Sequence, residues 1–456
     1  MRVAWSIPHL LEESMAVPAK GHAVPDAGAG ATAADQLVPR VLITCQYYPP
    51  AVRAGGAPRS IAAIVAEESI RTSIEILTRN ADLGTGQPFT TAETEAVDHV
   101  LPPASIRRCP SGRAWIAIWR RLRQPADFDI LYLNSMFSPW FTLWPLLLMA
   151  TGLVPRRQIL LAPRGELGTG ALAIKPHRKR LVGRLIRPLL ARLDLTWHAS
   201  TADEADSVTR FLGRRMQPVF VRNDPAMPPA LPSAPENACL TVCFVARMVP
   251  IKNFQFLVRA ALTLTEPTTI VVAGAIEDQD YWERCRELID KLPGHVSVHV
   301  MGHIEPADVI EVLRRSDAMV LPTLGENFGH AIAEALSVGC PVFIPDTTPW
   351  TALMSDGCGW VIDLDDPAGL RRALDHLAAE PRSTRNTARR TVAHRYAQWW
   401  AANQVHDRSL FTAAFDRSAT SARPDDAGTV PGLAATHRPR GFESGGRPGG
   451  EIRGCV

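Results

Sequence analysis

The sequence predicts an α/β protein built from two doubly wound, Rossmann-like domains that face each other across a cleft. Short β-branched runs alternate with amphipathic helical patterns, the strands return every 20 to 30 residues, and a proline-rich stretch divides this rhythm into two halves. The length of 456 residues accommodates two or three domains. With 46% hydrophobic and 21% charged residues, the chain is neither wholly disordered, nor a fibrous repeat, nor a polytopic membrane protein. A net charge of +3, from 49 basic and 46 acidic residues, is too balanced to point to nucleic acid, and no nucleic-acid partner is expected.

Residues 1–38 are rich in Ala, Gly and Pro and show no sustained period, so they read as a flexible tail. The first half then offers the strands RVLITC, SIEILT, ILYL, QILLAP and LTWHAS within residues 39–224. PAMPPALPSAPENA, residues 225–238, reads as the linker. In the second half, residues 239–385, strands are expected near Leu240, Thr268, Val296, Ala318, Pro341 and Gly359, with helical patterns such as FQFLVRAALTL and PADVIEVLRR between them. A last helical stretch occupies 386–415, and 416–456 is a second tail. Its last 36 residues hold 8 Gly and 4 Pro and too few large apolar side chains to bury a core.

One segment tests the reading of a non-membrane protein. From Ile130 to Pro155 no charged residue appears, and a run of this length is able to span a bilayer. Asn134, Ser135, Pro139 and Pro145 interrupt it, so the expectation is a buried strand followed by a core helix, with a membrane span as the alternative. The N-terminus lacks a useful apolar stretch, because Pro8, His9, Glu12 and Glu13 break it, and the eight Cys include no CxxC pair. Cys45, Cys243 and Cys340 lie in apolar runs and read as reduced core residues. The expectation is a cytoplasmic protein.

Three motifs carry chemistry. In PTLGENFGHAIAEALSV, residues 322–338, a strand end leads through a loop into a helix, with Glu326 in the loop and Glu334 within the helix. Asn327, Phe328 and Gly329 supply backbone N–H groups at the helix start, where a phosphate is favoured. A Glu can accept two hydrogen bonds from vicinal hydroxyls. Eight fully helical steps would separate the two carboxylates by about 12 Å along the axis, enough to bracket a nucleotide diphosphate and its attached group. Acidic residues near a helix start are also stabilised by the dipole, which needs no ligand.

The second motif, ARMVPIKN, places Arg247 and Lys252 around a loop at the carboxyl end of a strand, where two cations can neutralise a diphosphate; loop cations are otherwise merely solvated. The third, YYPPAVRAGGAPRS, follows the first strand. Gly55 and Gly56 allow close approach of backbone to ligand, and Arg59 opens the next helix. It is neither GxGxxG nor a Walker loop, which weakens NAD binding and nucleotide hydrolysis.

Taken in order, these motifs strongly resemble the family 4 glycosyltransferases, retaining enzymes with the GT-B fold. The resemblance runs from about residue 39 to 412 and includes TRNADLG at 78–84, LNSMFS at 133–138, APRGELGTGALAIK at 162–175 and HASTADEAD at 198–206. The PRGEL region resembles the branch that builds bacterial surface polysaccharides. The resemblance implies that the N-terminal domain serves the acceptor, the C-terminal domain the donor, and that the final helix crosses back to the N-terminal domain. It also implies that Arg247 and Lys252 hold the donor diphosphate and Glu334 the ribose. Glu326 with the Asn327, Phe328 and Gly329 amides would hold the transferred sugar, with Gly55 and Gly56 opposite.

Retention is then a front-face attack in which the departing phosphate helps to deprotonate the acceptor, so Arg247, Lys252 and Glu326 are the catalytic candidates. The donor would be a UDP- or GDP-sugar, and transfer would need no metal. One departure matters: where many members carry a histidine near the sugar, this chain has Pro163-Arg164-Gly165-Glu166. Arg164 and Glu166, with Arg59 and Lys175, are therefore acceptor-side candidates. Asn223-Asp224 replaces a frequent Asn-Gly turn, an exchange expected to affect a loop more than chemistry.

From Leu167 to Leu193 seven cations and no acidic residue occur, with Leu181, Val182, Leu185, Ile186, Leu189 and Leu190 at helical spacing. Residues 171–192 thus read either as a helix on an anionic membrane surface or as a core-packed helix with a solvated cationic face. The membrane reading suits the polyprenyl-diphosphate-linked acceptor that the resemblance implies, a glycan being the other acceptor it implies. The triplets DFD at 127–129, DQD at 278–280 and DLD at 363–365 match a metal-binding pattern that arises readily by chance, and His177, His198 and His303 are scattered. Two other functions remain open on the same fold: a sugar-nucleotide epimerase and a catalytically inactive scaffold.

Overall fold

The computed structural model describes residues 39–415 except 99–103, 111, 125–127, 169–175, 214–216, 234, 405 and 407, with the side chains of 176–181 also outside the description. The tails expected at 1–38 and 416–456 lie outside the described residues. Among the described residues thirteen strands form two sheets. The first holds β1 (Arg40–Cys45), β2 (Ser73–Arg79), β3 (Ser105–Cys109), β4 (Ile130–Asn134), β5 (Gln158–Ala162), β6 (Leu195–Ala199) and β7 (Val219–Val221), in the order β3-β2-β1-β4-β5-β6-β7. The second holds β8 (Leu240–Val245), β9 (Thr268–Ala273), β10 (Val296–Gly302), β11 (Ala318–Val320), β12 (Val342–Ile344) and β13 (Gly359–Val361), in the order β10-β9-β8-β11-β12-β13. Every strand pair is parallel. The protein therefore has the two doubly wound α/β domains that the alternating pattern predicts.

Strand composition explains the layering. RVLITC is buried from Val41 to Cys45, as a central parallel strand covered on both faces must be. Its alternate side chains feed two cores: Leu42 joins Leu131, Leu133 and Leu161 on one face, while Val41 and Ile43 join Ile130, Tyr132 and Leu160 on the other. The second sheet has its own core around Val242, Phe244, Ile270, Met319 and Phe343. Helices α1 (Gly56–Glu68), α2 (Thr91–Asp98), α3 (Ala114–Arg123), α4 (Trp144–Ala150), α5 (Pro176–Leu190) and α6 (Ala202–Leu212) belong to the first half. In the second are α7 (Phe254–Ala261), α8 (Gln279–Ile289), α9 (Pro306–Arg315), α10 (His330–Ser337), α11 (Thr351–Leu353) and α12 (Pro367–Ala379).

The uncharged stretch resolves into the fully buried β4, a π-helical turn over Pro139–Leu143, and α4. Among the described residues no helix is long and apolar enough to cross a membrane. The proline-rich segment is not a free tether. Ala230 N–H donates to Ser337 O at 2.8 Å, Tyr396 OH donates to Met227 O at 2.6 Å, and the Arg389 guanidinium donates to Ser233 O at 2.9 Å. The last two partners come from α13 (Arg382–Asn403), whose Val392 and Tyr396 pack into the second core. The short α14 (Leu410–Ala413) returns to the first domain, where Leu410 and Phe411 join the core with Tyr132 and Leu410 N–H donates to Glu68 Oε1 at 2.8 Å.

In each sheet the order reverses beside the first strand, between β1 and β4 and between β8 and β11. Loops leaving those strands diverge there and open a crevice at their carboxyl ends.

Candidate active site

A cavity of about 330 Å³ is lined by loops from both sheets. From the first domain come the segment after β1, with Gly55 at φ 78 capping α1, and then Gly56, Arg59 and Ser60 on α1 itself. A Cβ on Gly55 would stand 3.1 Å from Arg247 Nε, a tight approach between the domains, and the φ of 78 itself favours glycine. From the second domain come Arg247 and Lys252 after β8, Glu326 to Phe328 after β11, and Gly329, at φ 82, capping α10. At Gly274, just after β9, a Cβ would lie 1.8 Å from Ala246 O, which keeps this wall of the cavity bare.

The charges are paired. Lys252 Nζ donates to Glu326 Oε2 at 2.5 Å, and Arg247 Nη1 lies 2.9 and 2.8 Å from the two oxygens of Glu277. Arg59 reaches across the cleft to hydrogen-bond Glu334 Oε1. Burial pushes the Glu334 carboxyl up from its ordinary range, against the opposing pull of the Arg59 guanidinium. The structure thus brings Gly55, Gly56, Arg59, Arg247, Lys252, Glu326, Asn327, Phe328, Gly329 and Glu334 around one cavity.

The acceptor-side candidates divide. Arg59 faces Glu334 rather than a separate acceptor surface. Arg164, in left-handed backbone at φ 55, lines the cavity and is fixed by three acceptors: Nε to Asn134 Oδ1 at 2.6 Å, Nη2 to Tyr132 OH at 2.7 Å, and Nη1 to Asp224. Glu166 does not line the cavity. Its carboxylate receives Met136 N–H at 2.7 Å, Phe137 N–H at 2.9 Å and the Ser135 hydroxyl at 2.9 Å, which shapes a turn with Ser135 at φ 105. Lys175 lies outside the described residues.

Asp224 corrects the expectation of a mere loop exchange. It is 1% exposed, lines the cavity, and pairs with Arg164 while accepting the Ser60 hydroxyl at 2.8 Å. Burial opposes its charge, yet Arg164 and then His330 hold it below the usual carboxylate range. Ser60 Oγ also lies 2.8 Å from His330 Nε2, and burial lowers the His330 imidazole to about 4 although the Asp224 charge pulls the other way. Behind this cluster, His198 sits between Tyr132 OH at 2.9 Å and Arg222 O at 3.1 Å, and burial lowers it to about 3. Asn327 Nδ2 donates across the cleft to Ser200 Oγ at 2.7 Å. Ser60, Ser200, Asp224, Gly274 and His330 were not singled out as site residues from the sequence. His330 directly follows the predicted Gly329 and Ser60 follows Arg59, so adjacency was the available signal.

Among the described residues no group of three or more His, Cys, Asp or Glu could hold a metal ion. The acidic triplets serve local structure: Asp129 pairs with Arg40, Asp278 caps α8 through Tyr281 N–H at 2.8 Å, and Asp363 accepts Asp365 N–H at 2.9 Å.

Residues 235–394 match the family model for Glycosyl transferases group 1. That stretch contains Arg247, Lys252, Glu326 and Glu334. The chain is similar to a D-inositol 3-phosphate glycosyltransferase of Thermomonospora curvata, 29% identical over 192 residues, covering 40% of this chain and 44% of the relative. It is also similar to a glycogen synthase of Mycobacterium tuberculosis, 27% identical over 199 residues, covering 41% and 47%. The chain thus spans less than half the length of these curated relatives. Anabaena HepE, solved with UDP-glucose, superposes with a TM-score of 0.60 at 17% identity, over 80% of this chain and 95% of that one. Sucrose-phosphate synthase from Thermosynechococcus elongatus gives 0.62 at 15% identity, over 80% and 94%. These likenesses establish the GT-B fold.

Proposed function

We propose that this protein is a retaining glycosyltransferase of family 4 that moves a sugar from a UDP- or GDP-sugar to a glycan or polyprenyl-diphosphate-linked acceptor in bacterial polysaccharide synthesis. The observation that carries the reading is the convergence of Arg247, Lys252, Glu326, Glu334 and the Gly329-capped start of α10 on one cavity, with Gly55 and Gly56 opposite. In this reading residues 239–385 bind the donor, 39–224 face the acceptor, and 225–238 joins them.

The chemistry follows from the pairs. A donor diphosphate arriving between Arg247, Lys252 and the α10 amides offers Lys252 a new anionic partner in place of Glu326, which frees Glu326 for sugar hydroxyls. Glu334 exchanges Arg59 for the ribose hydroxyls in the same way. As the glycosidic bond breaks, negative charge grows on the leaving phosphate oxygen. Two fixed cations stabilise it, and that phosphate takes the acceptor's proton, so no separate nucleophile is required. Transfer is proposed to proceed without a metal, Arg247 and Lys252 taking up the phosphate charge.

The acceptor side supports a membrane-surface substrate. Between Ala104 and Leu193 the chain has sixteen Lys and Arg against three Asp and Glu. In that stretch α3, the π-helical turn, α4 and α5 lie side by side, exposing Trp115, Trp140, Leu147 and Leu185 along with Arg120, Arg123 and Arg184. Of the proposed contact at 171–192, residues 171–175 lie outside the described residues, whereas Ile186 and Leu190 are buried and Leu185 is 65% exposed. Aromatic tips among cations suit an anionic headgroup layer, and the protein is proposed to act at the inner face of the cytoplasmic membrane.

The test is a turnover screen over UDP-glucose, UDP-galactose and GDP-mannose with excess chelator. At least one donor should release its nucleoside diphosphate. Release of a nucleotide-activated epimer with no diphosphate would favour an epimerase, and no turnover of any donor with a supplied acceptor would favour the inactive scaffold.

A further inference from the structure

Within the cavity the three lining carboxylates are already committed to cations: Glu326 to Lys252, Glu334 to Arg59 and Asp224 to Arg164. His330 differs. Its Nε2 lies 2.8 Å from Ser60 Oγ, and of the two acceptors within reach of the Ser60 hydroxyl, Asp224 Oδ2 at 2.8 Å and Gly56 O at 3.3 Å, the nearer and charged carboxylate takes its only proton. A hydroxyl that donates to the carboxylate can only accept from the ring, so Nε2 carries the imidazole proton and Nδ1 keeps its lone pair. The ring is held on other sides as well. Its centroid is 5.0 Å from that of Phe328, and a Cβ on Gly56 would come within 3.2 Å of His330 Cδ2, so α1 passes close against the ring.

Ser60 and Asp224 belong to the first domain's side of the cleft, and His330 to the second. The imidazole tautomer is therefore set by contact between the domains. Burial keeps the ring neutral near physiological pH, beside Asp224, Arg59, Arg164 and Glu326. A neutral, oriented nitrogen acceptor next to the Glu326–Asn327 loop suits a partner that donates a hydrogen bond and carries no charge.

We infer that His330 Nδ1 accepts a hydrogen bond from one hydroxyl of the transferred sugar, with Ser60 and Asp224 as positioning residues that fix the tautomer when the cleft is closed. This rests on the glycosyltransferase reading, and it makes His330 a determinant of which sugar is taken. A site built to accept from a hydroxyl rejects the analogue lacking it.

The experiment compares kcat/KM for the donor found in the screen and for its monodeoxy analogues at each ring hydroxyl. The enzymes are the wild-type full chain, His330→Leu, His330→Asn and Ser60→Ala. In the wild type, removal of one particular hydroxyl should cost about tenfold or more beyond removal of the others. His330→Leu should lose a similar factor on the complete donor and no longer distinguish that analogue. His330→Asn, whose amide oxygen falls near the place of Nδ1, should recover part of the discrimination, and Ser60→Ala should weaken it. Binding of the free nucleoside diphosphate should stay within about twofold in all three variants, by the proposed locality of the contact. A uniform loss over all analogues, no loss, or a parallel loss of nucleoside diphosphate binding would overturn the role of His330 alone. A wild-type chain that turns over no nucleotide sugar would overturn the glycosyltransferase reading, and this inference with it.

Discussion

Arg164 keeps its charge where little water reaches, with 5% of its side chain exposed against 1% for Asp224. Such a pair adds little net stability when formed, but loss of one partner strands the other, at about 3–5 kcal/mol. The two neighbouring histidines make a pH prediction. Unfolded histidine titrates near 6.5, whereas His330 and His198 are lowered by burial to about 4 and about 3. Between those values the unfolded chain binds protons that the folded chain refuses. Stability is therefore full above pH 6.5 and falls as pH drops toward 4 for His330 and toward 3 for His198, by about 1.4 kcal/mol per pH unit for each residue. Denaturant titrations between pH 7 and pH 5 should show a shallower pH slope for His198→Leu than for the wild type. Equal slopes would show that the buried imidazole does not titrate in this window.

At the scale of elements, Gly165 shows how closely the two halves approach. It adopts φ 74, and a Cβ there would stand 2.9 Å from Asn327 Cβ in the opposite domain. Gly165→Ala should leave the sheets intact but prop the cleft open, raising the donor KM about tenfold or more with a Tm change of a few degrees. A KM at the wild-type level would contradict this contact. Strands with buried, alternating apolar residues and loops at their carboxyl ends carry local signals, so both sheets and the cluster at 55–59, 247–252 and 326–334 were legible in the sequence. The network of Ser60, Arg164, Asp224 and His330 was not, because two helices and two loops, far apart in the chain, contribute to it and no spacing relates them. Glu166 was visible as a charge, but its direction is set by the turn at Ser135 and it shapes a loop instead. The apparent linker was visible as proline, yet its packing depends on α13, about 150 residues later.

Across the whole molecule, balanced net charge conceals a polarised first domain, basic between Ala104 and Leu193 and tipped with Trp115 and Trp140. The full chain should sediment with anionic phosphatidylglycerol vesicles at low salt and come off in high salt, with Trp140→Ser binding more weakly. No sedimentation at low salt would contradict a membrane-facing acceptor surface. The central claim is that the cavity between the domains stabilises a departing nucleoside diphosphate, and Lys252 tests it most directly. Turnover of the best donor from the UDP- and GDP-sugar screen should fall by about a hundredfold or more in Lys252→Ala, the scale of one lost transition-state donor, while circular dichroism and Tm stay close to wild type. Turnover near the wild-type level in a folded Lys252→Ala would contradict it.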